Sequence, residues 1–213
     1  MFFERSLLES AGVQQFAALL SPGPGAVAIA RCVAGLEDSA APVLLVGVAG
    51  GLSARFAPGM ACLATAVRSH DDDETFVPPI AVLPGSTAQP CTVCSVDQPV
   101  TTIPAKRRLH ERCGADIVDT ESIGFARACT SRGLRWGIIR GISDGSNEPL
   151  PPQLLRCVDE TGRPATARAV GAALRNPTLI PIMMRLRRNA RRSMIHAAAM
   201  LRTVHDDSAM HAG

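Results

Sequence analysis

Residues 129–146 read CTSRGLRWGIIRGISDGS, preceded at 116–121 by DIVDTE, and these stretches decide the fold. The middle of the first, residues 136–142, is apolar and β-branched and runs without interruption into Ser143-Asp144-Gly145. A strand that ends in a polar, glycine-flanked tip carries a carboxylate to the carboxyl edge of a sheet, where open α/β folds hold their ligands. Asp144 is therefore the first candidate for chemistry. Glu121, at a second strand-to-helix junction, is the next.

Working outward, strand and helix patterns alternate through the first two thirds of the chain. Residues 42–48 form an apolar run of the kind buried on both faces of a sheet, broken at Gly50-Gly51. Residues 60–67, 91–96 and 116–118 read as further strands. Residues 26–36, 105–113 and 121–131 read as helices, the last closed by Gly133. Residues 2–11 have helical spacing, and 13–20 suit a strand. Beyond Pro149 helices dominate, at 153–158, 164–174 and 177–204, with 205–213 expected as a disordered tail. This alternation predicts a three-layer α/β sandwich around a mixed, mostly parallel sheet. One domain over 1–204 is expected, with 150–204 as a helical extension.

With 213 residues, 46% of them hydrophobic, the chain can bury one sizeable core. No apolar run has the length of a membrane span. Glu4 and Arg5 stand where a leader would be apolar, so no secretion signal is expected. Seven cysteines without small-scaffold spacing suit reduced thiols in the cytoplasm. Six Phe, one Trp and no Tyr disfavour a base-stacking platform, so no nucleic-acid partner is expected.

Several motifs carry two readings. Gly47-Val48-Ala49-Gly50-Gly51 either brings backbone N–H groups to an anion or is a tight strand exit. Gly23-Pro24-Gly25-Ala26-Val27-Ala28 matches a dinucleotide fingerprint, but no acidic residue ends the next strand to hold a ribose. A turn that lets its helix pack closely is the better account. Glu121 could cap its helix, or it could accept hydrogen bonds from sugar hydroxyls. Asp144 could be a turn residue, or a general acid whose burial favours the protonated form. Cys91-x-x-Cys94 has no second pair, and the acidic run 71–74 lacks calcium-loop spacing, so no metal site is expected. In 177–204, Ile182, Leu186, Met194, Ala197 and Leu201 share helical spacing with arginines between them. That pattern suits a charged surface helix or a helix lying on an anionic membrane.

Three stretches together resemble one family. GVAGGL at 47–52 with PGM at 58–60, GADIVDTES at 114–122 and IIRGISDGS at 138–146 are similar, in this order, to segments of nucleoside phosphorylases and methylthioadenosine/S-adenosylhomocysteine nucleosidases. SVDQPV at 95–100, the Leu-Pro-Pro stretch and the basic C-terminal helix resemble the hopanoid-associated phosphorylases most closely.

The resemblance implies cleavage of the N-ribosidic bond of a purine nucleoside, with adenine the expected base and adenosylhopane one lipid-linked substrate. It implies Asp144 as the acid at purine N7, with Ser143 and the Gly145 N–H orienting it. Glu121 would hold the ribose, with Thr120 where the family carries methionine. Val48, Ala49, Gly50 and Gly51 would sit by the nucleophile. Glu4 would match the acidic residue that orients water or substrate, the chain opening where the family's first strand ends. Phe76 is a base-stacking candidate by elimination, and Arg140 a structural partner for a nearby carboxylate. No cofactor is implied beyond inorganic phosphate as co-substrate of a phosphorylase. A homo-oligomer, at least a dimer, is implied, and contact with the inner membrane surface through 177–204. Two other classes stay open: a non-catalytic relative that binds a nucleoside or lipid, and an α/β enzyme that uses the 23–28 loop for a nucleotide cofactor.

Overall fold

The computed structural model describes residues 8–10, 12, 20, 24–37, 41–81, 88–155, 171 and 173–210; for 155 and 202–210 only the backbone is described. Its elements, in order, are α1 (Ala26–Ala34), β1 (Val43–Gly51), β2 (Ala61–Ser69), β3 (Thr75–Phe76), β4 (Gln89–Ser95), α2 (Ile103–Cys113), β5 (Ile117–Asp119), α3 (Ser122–Ser131), β6 (Trp136–Asp144), α4 (Pro152–Leu155) and α5 (Leu179–Met210).

The apolar run of β6 is covered on both faces, and nearly every residue in it is buried. Its side chains alternate between two cores, as strand geometry requires. Ile138 and Ile142 join Ile29, Val33, Phe125 and Cys129, contributed by α1 and α3. Ile139 joins Met194, Ala197 and Ala198 of α5 on the opposite side. Trp136 meets the edge of Phe125 at 5.9 Å between ring centroids and 89° between planes. Such a pair adds about 0.5–1.5 kcal/mol to the burial of the rings. A third cluster seats Leu109 of α2 on Cys94, Ala115 and Val118.

These faces make the predicted sandwich: α1 and α3 on one side of the sheet, α5 on the other. The strand order is β3-β2-β4-β5-β1-β6. The long registers, β1 with β6 and β2 with β4, are parallel. The antiparallel pairings of β1 with β5, β2 with β3 and β2 with β6 are short. The pairing of Ala61–Leu63 with Ile139–Gly141 brings β2 back to β6, so the sheet closes on itself rather than lying open.

Strand and helix positions follow the sequence reading to within a few residues. Three differences have physical causes. β1 continues through Gly50-Gly51, because both glycines still pair with β5. Phe76 lies in a short edge strand, paired to Val67, in a stretch to which the sequence assigned neither helix nor strand. The last helix runs to Met210, past the expected end at 204; neither proline nor glycine occurs between 182 and 212 to stop it. The expected strand at 13–20 and most of the helices at 2–11 and 164–174 lie outside the described residues.

Candidate active site

Both sequence-predicted carboxylates are buried, Asp144 at 4% exposure and Glu121 at 9%. Each stands in its own polar cluster, and the two clusters are built from opposite ends of the same logic: a strand exit beside the first turn of a helix.

At the end of β6 the register against β1 slips by one residue. Ala49 pairs with Ile142 and Gly50 with Asp144, leaving Ser143 over. An extra residue of this kind bends a strand and re-aims its side chains. The Asp144 carboxylate thereby folds over Gly50: a Cβ on that glycine would lie 3.2 Å from Oδ2 of Asp144 and 3.4 Å from Val118. The Ser143 hydroxyl is 2.6 Å from Oδ1 of Asp144 and 3.2 Å from the carbonyl oxygen of Ala49. Lys106 of α2, fully buried, donates from Nζ to Oδ2 of Asp144 and forms an ion pair with it. The same ammonium donates to the carbonyl oxygens of Gly145, at 2.7 Å, and Glu148, at 3.0 Å. The Gly145 N–H donates to Oε2 of Glu148 at 3.3 Å, not to Asp144. Lys106 was missed in the sequence, where it reads as one more cation of a basic helix.

The second cluster centres on Arg140, 2% exposed. It forms ion pairs with Asp119 and, at 3.3 Å, with Oε2 of Glu121, which is the structural pairing expected of it. Glu121 does not cap α3. Its side chain makes no cap bond. Asp119 does that work, accepting from the Ser122 N–H at 3.1 Å and from the Ser122 hydroxyl. Glu121 turns instead to Arg140, to the Thr120 hydroxyl, which donates to Oε1 at 2.6 Å, and to the Gly25 N–H, which donates to the same oxygen at 3.2 Å. Thr120 thus contacts Glu121 directly, through the hydroxyl that a methionine would lack.

Of the 23–28 loop, residues 24–28 are described, and they pack against protein. Ala26 packs so closely on α3 that a Cβ at Gly124 would lie 2.6 Å from it. The Gly25 N–H, in this part of the loop, is spent on Glu121. Phe76, proposed as a stacking residue, packs against the core beside the α1–α3 cluster. The acidic run meets Arg127 of α3: Asp72 at 2.5 Å and Glu74 at 2.7 Å, all partly exposed. Cys91 packs in the core under α3 and Cys94 in that under α2, on opposite sides of β4. Val48 is half-buried against the α5 core, and Ala49 is buried. Gly51 has the carbonyl oxygens of Phe56 and Asp144 within 3.1 and 3.3 Å of where a Cβ would be. Glu4 lies outside the described residues.

A cavity of about 530 Å³ opens on the neighbouring face of α2, walled by His70, Asp97, Gln98, Val100, Arg108 and Arg112. Among the described residues no group of His, Cys, Asp or Glu is placed to hold a metal ion, and no helix is long and apolar enough to cross a membrane.

Residues 85–175 match the family model described as the phosphorylase superfamily. None of the curated proteins compared with the chain matches it. Among solved structures, futalosine hydrolase of Helicobacter pylori superposes with a TM-score of 0.65 at 15% identity, over 97% of this chain and 94% of that one. The 5′-methylthioadenosine/S-adenosylhomocysteine nucleosidase of the same organism gives 0.65 at 16% identity, over 97% and 95%. S-adenosylhomocysteine nucleosidase of Streptococcus pyogenes gives 0.53 at 18%, over 59% of this chain and 65%, somewhat under two thirds, of that one. As the three motifs led us to expect, the chain matches the phosphorylase superfamily across the segment that holds Lys106, Glu121, Arg140 and Asp144, and it carries the fold of these nucleosidases and this hydrolase.

Proposed function

We propose that this protein cleaves the N-ribosidic bond of a purine nucleoside, with adenine as the leaving base. The observation that carries the reading is the Asp144 carboxyl, buried at the end of β6 with a donor on each of its oxygens. The transition state of such a cleavage has oxocarbenium character at C1′. Electrons of the C1′–N9 bond pass to the purine, and Asp144 supplies or shares the proton taken up at N7. Glu121 grips the ribose hydroxyls, with Arg140 and Thr120 fixing its carboxylate. Water or phosphate attacks C1′ near the Val48–Gly51 backbone. The names of the neighbouring structures, adenosylhomocysteine nucleosidases and futalosine hydrolase, support this reading of the nucleoside. The test is chromatography of free base after incubation with adenosine and 5′-substituted adenosines, soluble and lipid-linked, with and without phosphate. Base release in either condition is expected; a need for phosphate identifies phosphorolysis. Absence of base from every nucleoside in both conditions contradicts the reading.

A lipid-linked substrate, of which adenosylhopane is the type, is favoured by the outer face of α5. Ile180, Met184 and Ile195 stand 44%, 67% and 50% exposed there. Arg187, Arg188, Arg191 and Arg192 are exposed around them, and 179–205 contains no acidic residue. This combination suits an anionic bilayer surface, with a homo-oligomer presenting more than one such helix. Wild-type protein is expected to sediment with phosphatidylglycerol vesicles and not with phosphatidylcholine. Replacing Arg188, Arg191 and Arg192 by Ser should weaken partition roughly 100-fold, at about 1 kcal/mol per arginine. Equal sedimentation of both proteins would remove membrane contact from the account.

A further inference from the structure

Among the described residues Lys106 is the one fully buried cation that touches Asp144, and its geometry is that of a clamp. Thr102 caps α2, accepting from the Ala105 N–H at 3.3 Å, with a proline in the first turn. The backbone N–H of Lys106 closes that turn on Thr102 at 3.0 Å. The side chain then runs inward from a rigid helix start. An ammonium has three N–H donors. All three are spent, on Oδ2 of Asp144, on the Gly145 carbonyl and on the Glu148 carbonyl. None is left for a substrate, so the residue acts through Asp144.

A buried ion pair stabilises a fold poorly, because the desolvation of both charges offsets their attraction. Apolar residues at both 106 and 144 would fill the space at less cost. What an apolar residue cannot do is hold Oδ2 while Ser143 holds Oδ1, fixing the plane of the carboxyl against Gly50. It also cannot place a positive charge on one side of that carboxyl.

We propose that Lys106 is a positioning residue that sets both the orientation and the charge of the Asp144 carboxyl, a role that rests on the nucleoside-cleaving reading for its catalytic consequence. Among the described residues, the polar and charged side chains beside Asp144 are Lys106 from α2, Ser143 from β6 and Glu148 from the following turn. Glu148 is itself paired with Arg185 of α5 at 3.8 Å. β1 contributes the glycines Gly50 and Gly51 and no charged side chain.

The test uses the full chain with Lys106→Met and Lys106→Arg. Base release by Lys106→Met is expected to fall at least 30-fold in kcat with KM changed less than threefold. Loss of the neighbouring cation also makes the carboxylate harder to form, so the limb of the pH–rate profile that reports loss of the acid's proton should move up. Lys106→Arg should return the limb towards its wild-type position. A second readout does not need turnover: the carboxyl band of Asp144 in infrared spectra of 13C-aspartate-labelled protein, identified by its loss in Asp144→Asn. Its titration midpoint should move up in Lys106→Met and back in Lys106→Arg. If wild type releases no base, the cleavage reading fails while the infrared titration still decides the effect on Asp144. If Lys106→Met lowers only the melting temperature and leaves kcat, the pH limb and the infrared midpoint unmoved, Lys106 is a packing residue and the proposal is overturned.

Discussion

Asp144→Asn should lower base release by about 10²–10⁴-fold, the range that a positioned general acid contributes. The substitution keeps the shape of the side chain, and the amide oxygen can still accept from Lys106. It removes the carboxyl through which the leaving purine takes up its proton, so the loss should fall on kcat. Nucleoside binding, measured by calorimetry on the variant, should change little. The variant also takes the counter-charge from a fully buried lysine. Breaking a buried pair from one side costs about 3–5 kcal/mol. Turnover must therefore be compared on folded protein, verified by circular dichroism at the assay temperature. A folded variant with wild-type turnover would show that another group supplies the proton.

Arg140→Met is expected to be the most destabilising single substitution in the site. Arg140 is 2% exposed, and the Asp119 side chain facing it is 1% exposed. Without the guanidinium, two carboxylates, Asp119 and Glu121, stay behind in a dry place with like charge. The expected loss is about 3–5 kcal/mol, or roughly 10 °C in melting temperature for a chain of this size. Adding Asp119→Asn to Arg140→Met should recover part of that loss, because it removes one of the stranded charges. Thermal melts of the single and double variants check this. Equal stability of Arg140→Met and wild type would mean that the ion pairs contribute nothing to the fold.

Why some of this was visible in the sequence and some was not comes down to local against non-local signals. β6 was legible because Trp136 and three isoleucines fall within seven residues, 136–142, a density that leaves few alternatives to a strand covered on both faces. Asp144 was legible for the same reason: it is where that strand turns polar. The pairing of Arg140 with a carboxylate followed from a cation set inside an apolar run. The role of Glu121 stayed open between cap and sugar ligand, since Asp119 and Glu121 both precede α3 and only the backbone path decides which oxygen reaches Ser122. The closure of β2 on β6 is non-local and left no trace in either strand.

Lys106 was hidden by its neighbours. In Ala105-Lys106-Arg107-Arg108 it reads as one of three solvated cations. A helical wheel carries the missing signal: Lys106 is three residues before Leu109 and seven before Cys113, on the inward face, whereas Arg107 and Arg108 are exposed. Glu4 stays a sequence expectation.

The most direct measurement of the central claim is the position of a bound purine nucleoside analogue with an uncleavable C–C glycosidic bond, determined crystallographically on the wild-type protein. The account predicts the atom equivalent to N7 within hydrogen-bond reach of the Asp144 carboxyl and the ribose hydroxyls on Glu121. An analogue seated in the cavity beside His70 and Arg112, with Asp144 and Glu121 untouched, would contradict it.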